Sequence, residues 1–210
     1  IKTLVAYSSH IEGVGSSLSD IDVYAICPDI SAVPYDWKHD DCRIRRAKLN
    51  GVVLDIEYWE DSTIESILKK LSQYSPNYVP LIQLHELKLI SRLYLGELIY
   101  GEEFKKRLDW GFFIVYLWNT NRTSSCSLLD DATRLAQQND FPGAFICSQT
   151  AMQYALKGIN AKNSITCMQN KWISKIFIDH QGFDSGLVNE YYTNFIYVNV
   201  TKDNIEYIIQ

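Results

Sequence analysis

Two aspartates one residue apart, Asp20 and Asp22, open a run of apolar and β-branched residues that lasts to Ile26. Side-chain direction alternates along a strand, so both carboxylates project from one face and can grip one hard cation together. Magnesium prefers oxygen ligands in octahedral geometry and keeps substrate phosphate oxygens among them, which makes such a pair half of a magnesium site. A third carboxylate from another strand completes it. Asp55 lies between Leu54 and Ile56, and Glu57, two residues on, faces the same way; alternation alone does not choose between them. In phosphoryl transfer a pair of magnesium ions neutralises developing charge and aligns the attacking and leaving oxygens, while a carboxylate near the acceptor hydroxyl takes its proton. Asp55 suits both tasks. Ser8 and Ser9 end an earlier apolar run, where hydroxyl and backbone N–H groups at a turn can hold a triphosphate tail.

The elements that must position these residues follow from patterning. Residues 3–7 and 21–26 read as strands, joined by a link carrying Gly13, Gly15, Ser16 and Ser17. After a polar stretch with Pro28 and Pro34, residues 52–59 alternate like a half-buried strand, and the charges of Arg43, Arg45 and Arg46 ahead of it suit steering of a nucleotide or, more simply, a solvated face. A helix is predicted from about Ser62. The Ser62 and Glu65 spacing fits a capping box, and Ile64, Ile67, Leu68 and Leu71 form one stripe. Pro76 and Pro80 then punctuate the chain, and helical patterns dominate beyond them. The fold class is therefore α+β, with a small mixed β-sheet domain over residues 1–75 and an α-helical bundle over residues 76–210. In the second part Asp140 caps a helix with Pro142 in its first turn. Ala144, Cys147, Ala151, Tyr154 and Ala155 share a side of that helix, and Gly158 ends it. The polar residues 120–127 predict a loop or a break between helices.

A hydrophobic fraction of 47% over 210 residues supports a buried core and argues against disorder. With a net charge of −5 and scattered basic residues, the chain lacks a broad cationic face for duplex nucleic acid, so a small acceptor fits better. Five cysteines, odd in number and without a CxxC pair, are unlike a disulfide framework, which points to a reducing cytoplasm. The longest apolar stretch, residues 111–118, is far shorter than the roughly 20 residues of a spanning helix, so no membrane partner is expected. The chain begins at Ile1 and enters a strand at once, the pattern of a sequence trimmed upstream.

The order Tyr7-Ser8-Ser9, ten residues, Asp20-Ile21-Asp22-Val23, then Leu54-Asp55-Ile56 resembles the signature of the DNA-polymerase-β-like nucleotidyltransferases. In that superfamily a Gly-Ser pair precedes a strand Asp-x-Asp and a later hydrophobic-Asp-hydrophobic strand. Ser8 stands where the family usually has Gly, and a side chain at that turn changes how closely the backbone approaches phosphate. The layout is similar to the antibiotic-modifying branch, which includes the aminoglycoside nucleotidyltransferases, where a helical domain binds the acceptor. The resemblance implies ATP or another nucleoside triphosphate as co-substrate, Asp20, Asp22 and Asp55 as metal-binding and catalytic residues, and Ser8 and Ser9 as nucleotide contacts. Gly158-Ile159-Asn160 followed by Lys171-Trp172 matches the Gly-Asn and Lys-Trp order of such C-terminal domains, which implies Lys171 as a phosphate contact.

Other groups carry weaker signals. His39 and Cys42 stand at an HxxC spacing without the second pair that zinc requires. His10 reads as an exposed loop residue. The aromatic set Trp110, Phe112, Phe113, Tyr116 and Trp118 suits core packing or an acceptor pocket. Asp130 and Asp131 fit helix-start charges or a hold on a cationic acceptor. A second class of function competes with the enzyme: an antitoxin-like or regulatory binding module that retains the fold and acts through a partner.

Overall fold

A computed structural model describes residues 1–9, 11, 20–39, 41–166, 170, 172–173, 175–176 and 193. The chain divides into two compact units, Ile1–Phe113 and Ile114–Gln210.

The first unit is built on strands β1 (Thr3–Tyr7), β2 (Ile21–Cys27), β3 (Trp37–His39), β4 (Cys42–Leu49), β5 (Val52–Glu60) and β6 (Glu97–Gly101), with helices α1 (Asp61–Ser72) and α2 (Leu84–Leu95). The strands form one mixed sheet in the order β3-β4-β5-β2-β1-β6. Only β2 and β5 pair in parallel; every other neighbouring pair is antiparallel. A parallel pair needs a long crossover, and here the crossover carries the β3–β4 hairpin. Thus the α+β class, a mixed sheet followed by helices, is as expected.

Several expectations need correction. The charged run at Arg43, Arg45 and Arg46 is a strand, β4, whose tight link to β5 places Asn50 and Gly51 at positive φ (50° and 87°). Helix α1 begins at Asp61 with Glu60 as its N-cap and no side-chain cap bond, so Ser62 and Glu65 form no capping box. Glu65 accepts from Arg107 at 2.7 Å instead, and the Ser62 hydroxyl lies on Glu60. The first unit also runs past the boundary expected at residues 75 and 76, because the sheet takes its edge strand β6 from beyond that point.

The core of this unit is the apolar centre of β2, where Val23 to Cys27 are buried, with Ile64, Ile67 and Leu71 of α1 and Leu87, Leu89, Ile90 and Leu93 of α2. Two features fix α2. At its start Glu86 accepts from the Gln83 backbone N–H in a capping box, while its other oxygen takes the Lys70 ammonium at 2.7 Å, tying α2 to α1. At its end Gly96 lies so close to β1 that a Cβ there would sit 2.3 Å from Val5 Cγ1 and 2.7 Å from the Ala6 carbonyl oxygen.

In the second unit α4 (Phe141–Lys162) follows α3 (Trp110–Gln137), which crosses the unit boundary. Helix α3 passes unbroken through residues 120–127, where a loop was expected. Two polar side chains there bond the helix itself, Thr120 Oγ1 donating to the Tyr116 carbonyl and Asn121 Nδ2 to the Leu117 carbonyl, while Ser125 Oγ donates to the Ala151 carbonyl of α4. Asp140 caps α4 as expected, accepting from the Gly143 N–H at 3.0 Å. Gly158 does not end that helix, which continues to Lys162; its bare Cα lies against Trp118. Asp130 and Asp131 fall late in α3 rather than at a helix start, and Asp131 pairs with Arg134. No helix among the described residues is long and apolar enough to cross a membrane.

Candidate functional site

Strand register gathers the chemistry on one face of the sheet. Tyr7 pairs with Asp22, Asp22 with Asp55, and Asp55 with Arg46, so four adjoining strands contribute one residue each to a single transverse row. Facing residues in paired strands share a face, and the next row on that face is Val5, Tyr24, Glu57, Ile44 and Trp37. Beyond it lie Thr3, Ile26, Trp59, Cys42 and His39. Asp55 rather than Glu57 is thus the neighbour of Asp22. Glu57 lies one row away and accepts from Trp59 Nε1 at 3.0 Å.

Helix α2 lies over part of this face. His85 stacks on Trp59, and Arg92 lies over the rings of Tyr7 and Tyr24, 4.7 and 5.8 Å from their centroids. Arg92 Nη1 also bonds the Tyr24 hydroxyl and stands 2.9 Å from Asp22 Oδ2. Arg92 is buried, so its charge requires these partners. Burial pushes the Asp22 carboxyl above the usual carboxylate range, opposed by the charges of Arg92 and Lys88 and reinforced by Glu57 and Asp20. Lys88, one turn before Arg92, is pushed down by burial and by Arg92, while Glu57, Asp22 and Asp20 pull the other way.

Asp55 has a different surrounding. Arg46 Nε and Nη2 donate to its two oxygens at 2.7 and 2.8 Å, a fork-to-fork pair that holds the carboxyl below the usual range. The Arg46 side chain is 57% exposed, so this pair is open to solvent on the arginine side. The same guanidinium lies 5.4 Å from the centroid of the Trp37 ring.

The remaining expected residues divide. Ser8 and Ser9 directly follow β1 and are half-buried, one and two residues past Tyr7, and Ile11 N–H donates to the Ser8 carbonyl at 3.0 Å. Asp20 is exposed, one residue ahead of β2. Lys171 and His10 lie outside the described residues. His39 and Cys42 are register partners, but burial, with Glu57 and Asp41, pushes the Cys42 thiol up to about 12, far from a thiolate. Of the aromatic set, Trp110 stacks on Tyr94, Phe112 meets Tyr74 edge-on, and Phe113 and Tyr116 are buried, so these four serve packing. Sequence reasoning missed Lys88 and Arg92, and it placed Arg46 ahead of a strand rather than in one beside Asp55. Two cations four residues apart amid Leu87, Leu89, Ile90 and Leu93 were the available signal for the α2 pair.

Magnesium is the metal the sequence resemblance implies. The donor type fits it, since Asp22 and Asp55 stand side by side with Asp20 close ahead in the chain. Among the described residues, however, no group of three or more His, Cys, Asp and Glu is gathered to hold an ion. The two central carboxylates are turned to Arg92 and Arg46. Holding a metal requires their exchange, which is inexpensive at Asp55, where Arg46 is exposed, and costs more at Asp22, where Arg92 is buried.

No family model and no curated protein matches the chain. Among solved structures it is similar to a nucleotidyltransferase-like protein from Exiguobacterium sibiricum, with a TM-score of 0.54 and 8% identity. The match covers 99% of this chain and 66% of that one, so the chain spans just under two thirds of that protein's length. At this identity the likeness is one of fold alone.

Proposed function

We propose that this protein is a magnesium-dependent nucleotidyltransferase that moves a nucleoside monophosphate, AMP from ATP in the first instance, onto a hydroxyl of a small molecule. The observation that carries the reading is the register pairing of Asp22 with Asp55 in the row that begins at Tyr7, directly before Ser8 and Ser9. Asp22 and Asp55, with Asp20, would hold the metal, which when bound neutralises charge on the phosphates.

The chain's own residues do the rest. Ser8 and Ser9 bind the triphosphate tail, and Lys88 and Arg92 supply positive charge along the α2 side of the carboxylates. The acceptor oxygen attacks the α-phosphorus, forming a new P–O bond as the bond to the bridging α,β-oxygen breaks and pyrophosphate leaves. The hydroxyl proton passes to Asp55, which like any ordinary aspartate is ionised at neutral pH. The resemblance brings an aminoglycoside as the acceptor to try first.

Incubation with ATP and magnesium against a panel of hydroxyl acceptors tests this, with pyrophosphate release as the readout. Release that needs both metal and acceptor and disappears in Asp22→Asn supports it; no release with any triphosphate overturns it. One observation favours the binding-module reading, namely that both carboxylates are already ion-paired. Such a module would bind a partner and show no turnover.

A further inference from the structure

We propose that Trp37 and Arg46 form the acceptor subsite, and that the acceptor is a ring-bearing anion, such as a sugar phosphate or nucleoside monophosphate, rather than a polycation. This rests on the nucleotidyltransferase reading above. The order of strands gives the site a direction. Ser8 and Ser9 lie at the β1 end, Asp22 and Asp55 in the middle on β2 and β5, and Arg46 and Trp37 beyond them on β4 and β3. With the triphosphate tail at the β1 end, the incoming hydroxyl reaches the middle from the β3–β4 side.

That side has a flat wall and a displaceable charge. Trp37 is 41% exposed and shares the sheet face of Asp55. Indole faces bind sugar and base rings by stacking. Arg46 spans the two, its guanidinium on Asp55 and over the Trp37 ring, and Asp36 holds its backbone N–H at 2.7 Å. Asp55 cannot give both oxygens to Arg46 and also serve metal and acceptor. When it turns to them, Arg46 is left as an exposed cation beside an aromatic wall. A guanidinium fork there matches a phosphate or carboxylate and repels an aminoglycoside's ammonium groups.

The test is calorimetry on the full chain with magnesium and a non-hydrolysable ATP analogue already bound. Adenosine 5′-monophosphate and glucose 6-phosphate are titrated in separate arms, and kanamycin in a third. The expected result is that at least one anion binds and kanamycin does not. Trp37→Ala and Arg46→Gln should each weaken that anion by about 10-fold, the scale of one stacking or charged contact, while Trp37→Phe retains most of it. Binding of the magnesium analogue itself should be unchanged in Trp37→Ala. Anion binding indifferent to both substitutions, or kanamycin binding in place of the anions, overturns the subsite while leaving the transferase reading intact. Failure of the wild-type chain to bind the magnesium analogue removes that reading, and the subsite with it.

Discussion

Asp22 and Asp55 are direct register partners in the sheet's one parallel pairing, yet their carboxyls are held in opposite senses. Burial raises the first and the Arg46 hydrogen bonds lower the second. Two aspartates side by side are thereby given distinct properties, one by desolvation and one by a cation at the rim.

The signs of their pH dependence are therefore opposite. Between the lowered folded value of Asp55 and its ordinary 3.8, the unfolded chain binds more protons. The stability from its pair with Arg46 is thus full above that ordinary value and lost as pH falls through the folded one. For Asp22 the contribution is full below 3.8 and lost as pH rises through the raised folded value. Urea unfolding from acid to neutral pH should show the gap between wild type and Arg46→Gln closing toward acid. Asp22→Asn should gain on wild type as pH rises.

Substitution of either aspartate should separate chemistry from folding. Asp22→Asn and Asp55→Asn are each expected to reduce magnesium-dependent transfer by at least about 100-fold, the scale of losing a stabiliser of transition-state charge. Circular dichroism should remain unchanged. Glu57→Gln should be mild, since its carboxylate accepts from Trp59 in the next row. A Glu57→Gln enzyme as inactive as Asp55→Asn would move the third carboxylate to residue 57.

Arg46 and a cation compete for Asp55. Arg46→Gln should tighten manganese binding, followed by electron paramagnetic resonance, by up to about fivefold, the ceiling for an exposed ion pair. Weaker binding in that variant would mean that Arg46 supports the metal site and does not compete for it.

Arg92→Ala should cost about 3 kcal/mol of unfolding free energy, because it leaves Asp22 half-buried without its cation and Tyr24 without a donor. Gly96→Ala should cost about 2 kcal/mol by forcing the end of α2 off β1, and should weaken the Arg92 contact with Asp22 as a result. Chemical denaturation of both variants decides the order.

Much of the central sheet was legible because its strands carry strong signals. β1 follows its predicted span, and β2 and β5 end only one residue later than read. The hairpin between them was lost because half of β4 is charged, and charges on a strand pattern read as surface. Asn50-Gly51, a strong two-residue turn signal, was the clue that Arg46 belongs to a strand facing Asp55. Polarity also misled at residues 120–127, where Thr120 and Asn121 fold back on the carbonyls of their own helix and Ser125 donates to the Ala151 carbonyl of α4. The i, i+4 spacing of Lys88 and Arg92 among leucines was the one local sign of Arg92, and its partner Asp22 is set only by the packing of α2 across the sheet.

The transverse row makes the site sensitive to chain length in a way that its composition is not. A strand presents alternate residues to alternate faces, so inserting or deleting one residue in β5 between the Asn50-Gly51 turn and Asp55 would exchange Asp55 for an apolar neighbour on the working face. The sheet would still pair, and α1 would still find a strand to follow. Frameshift-like slips within those few residues are therefore far more damaging to this protein than most substitutions there, whereas the long crossover ahead of β4 absorbs added length without disturbing which side chain meets Asp22.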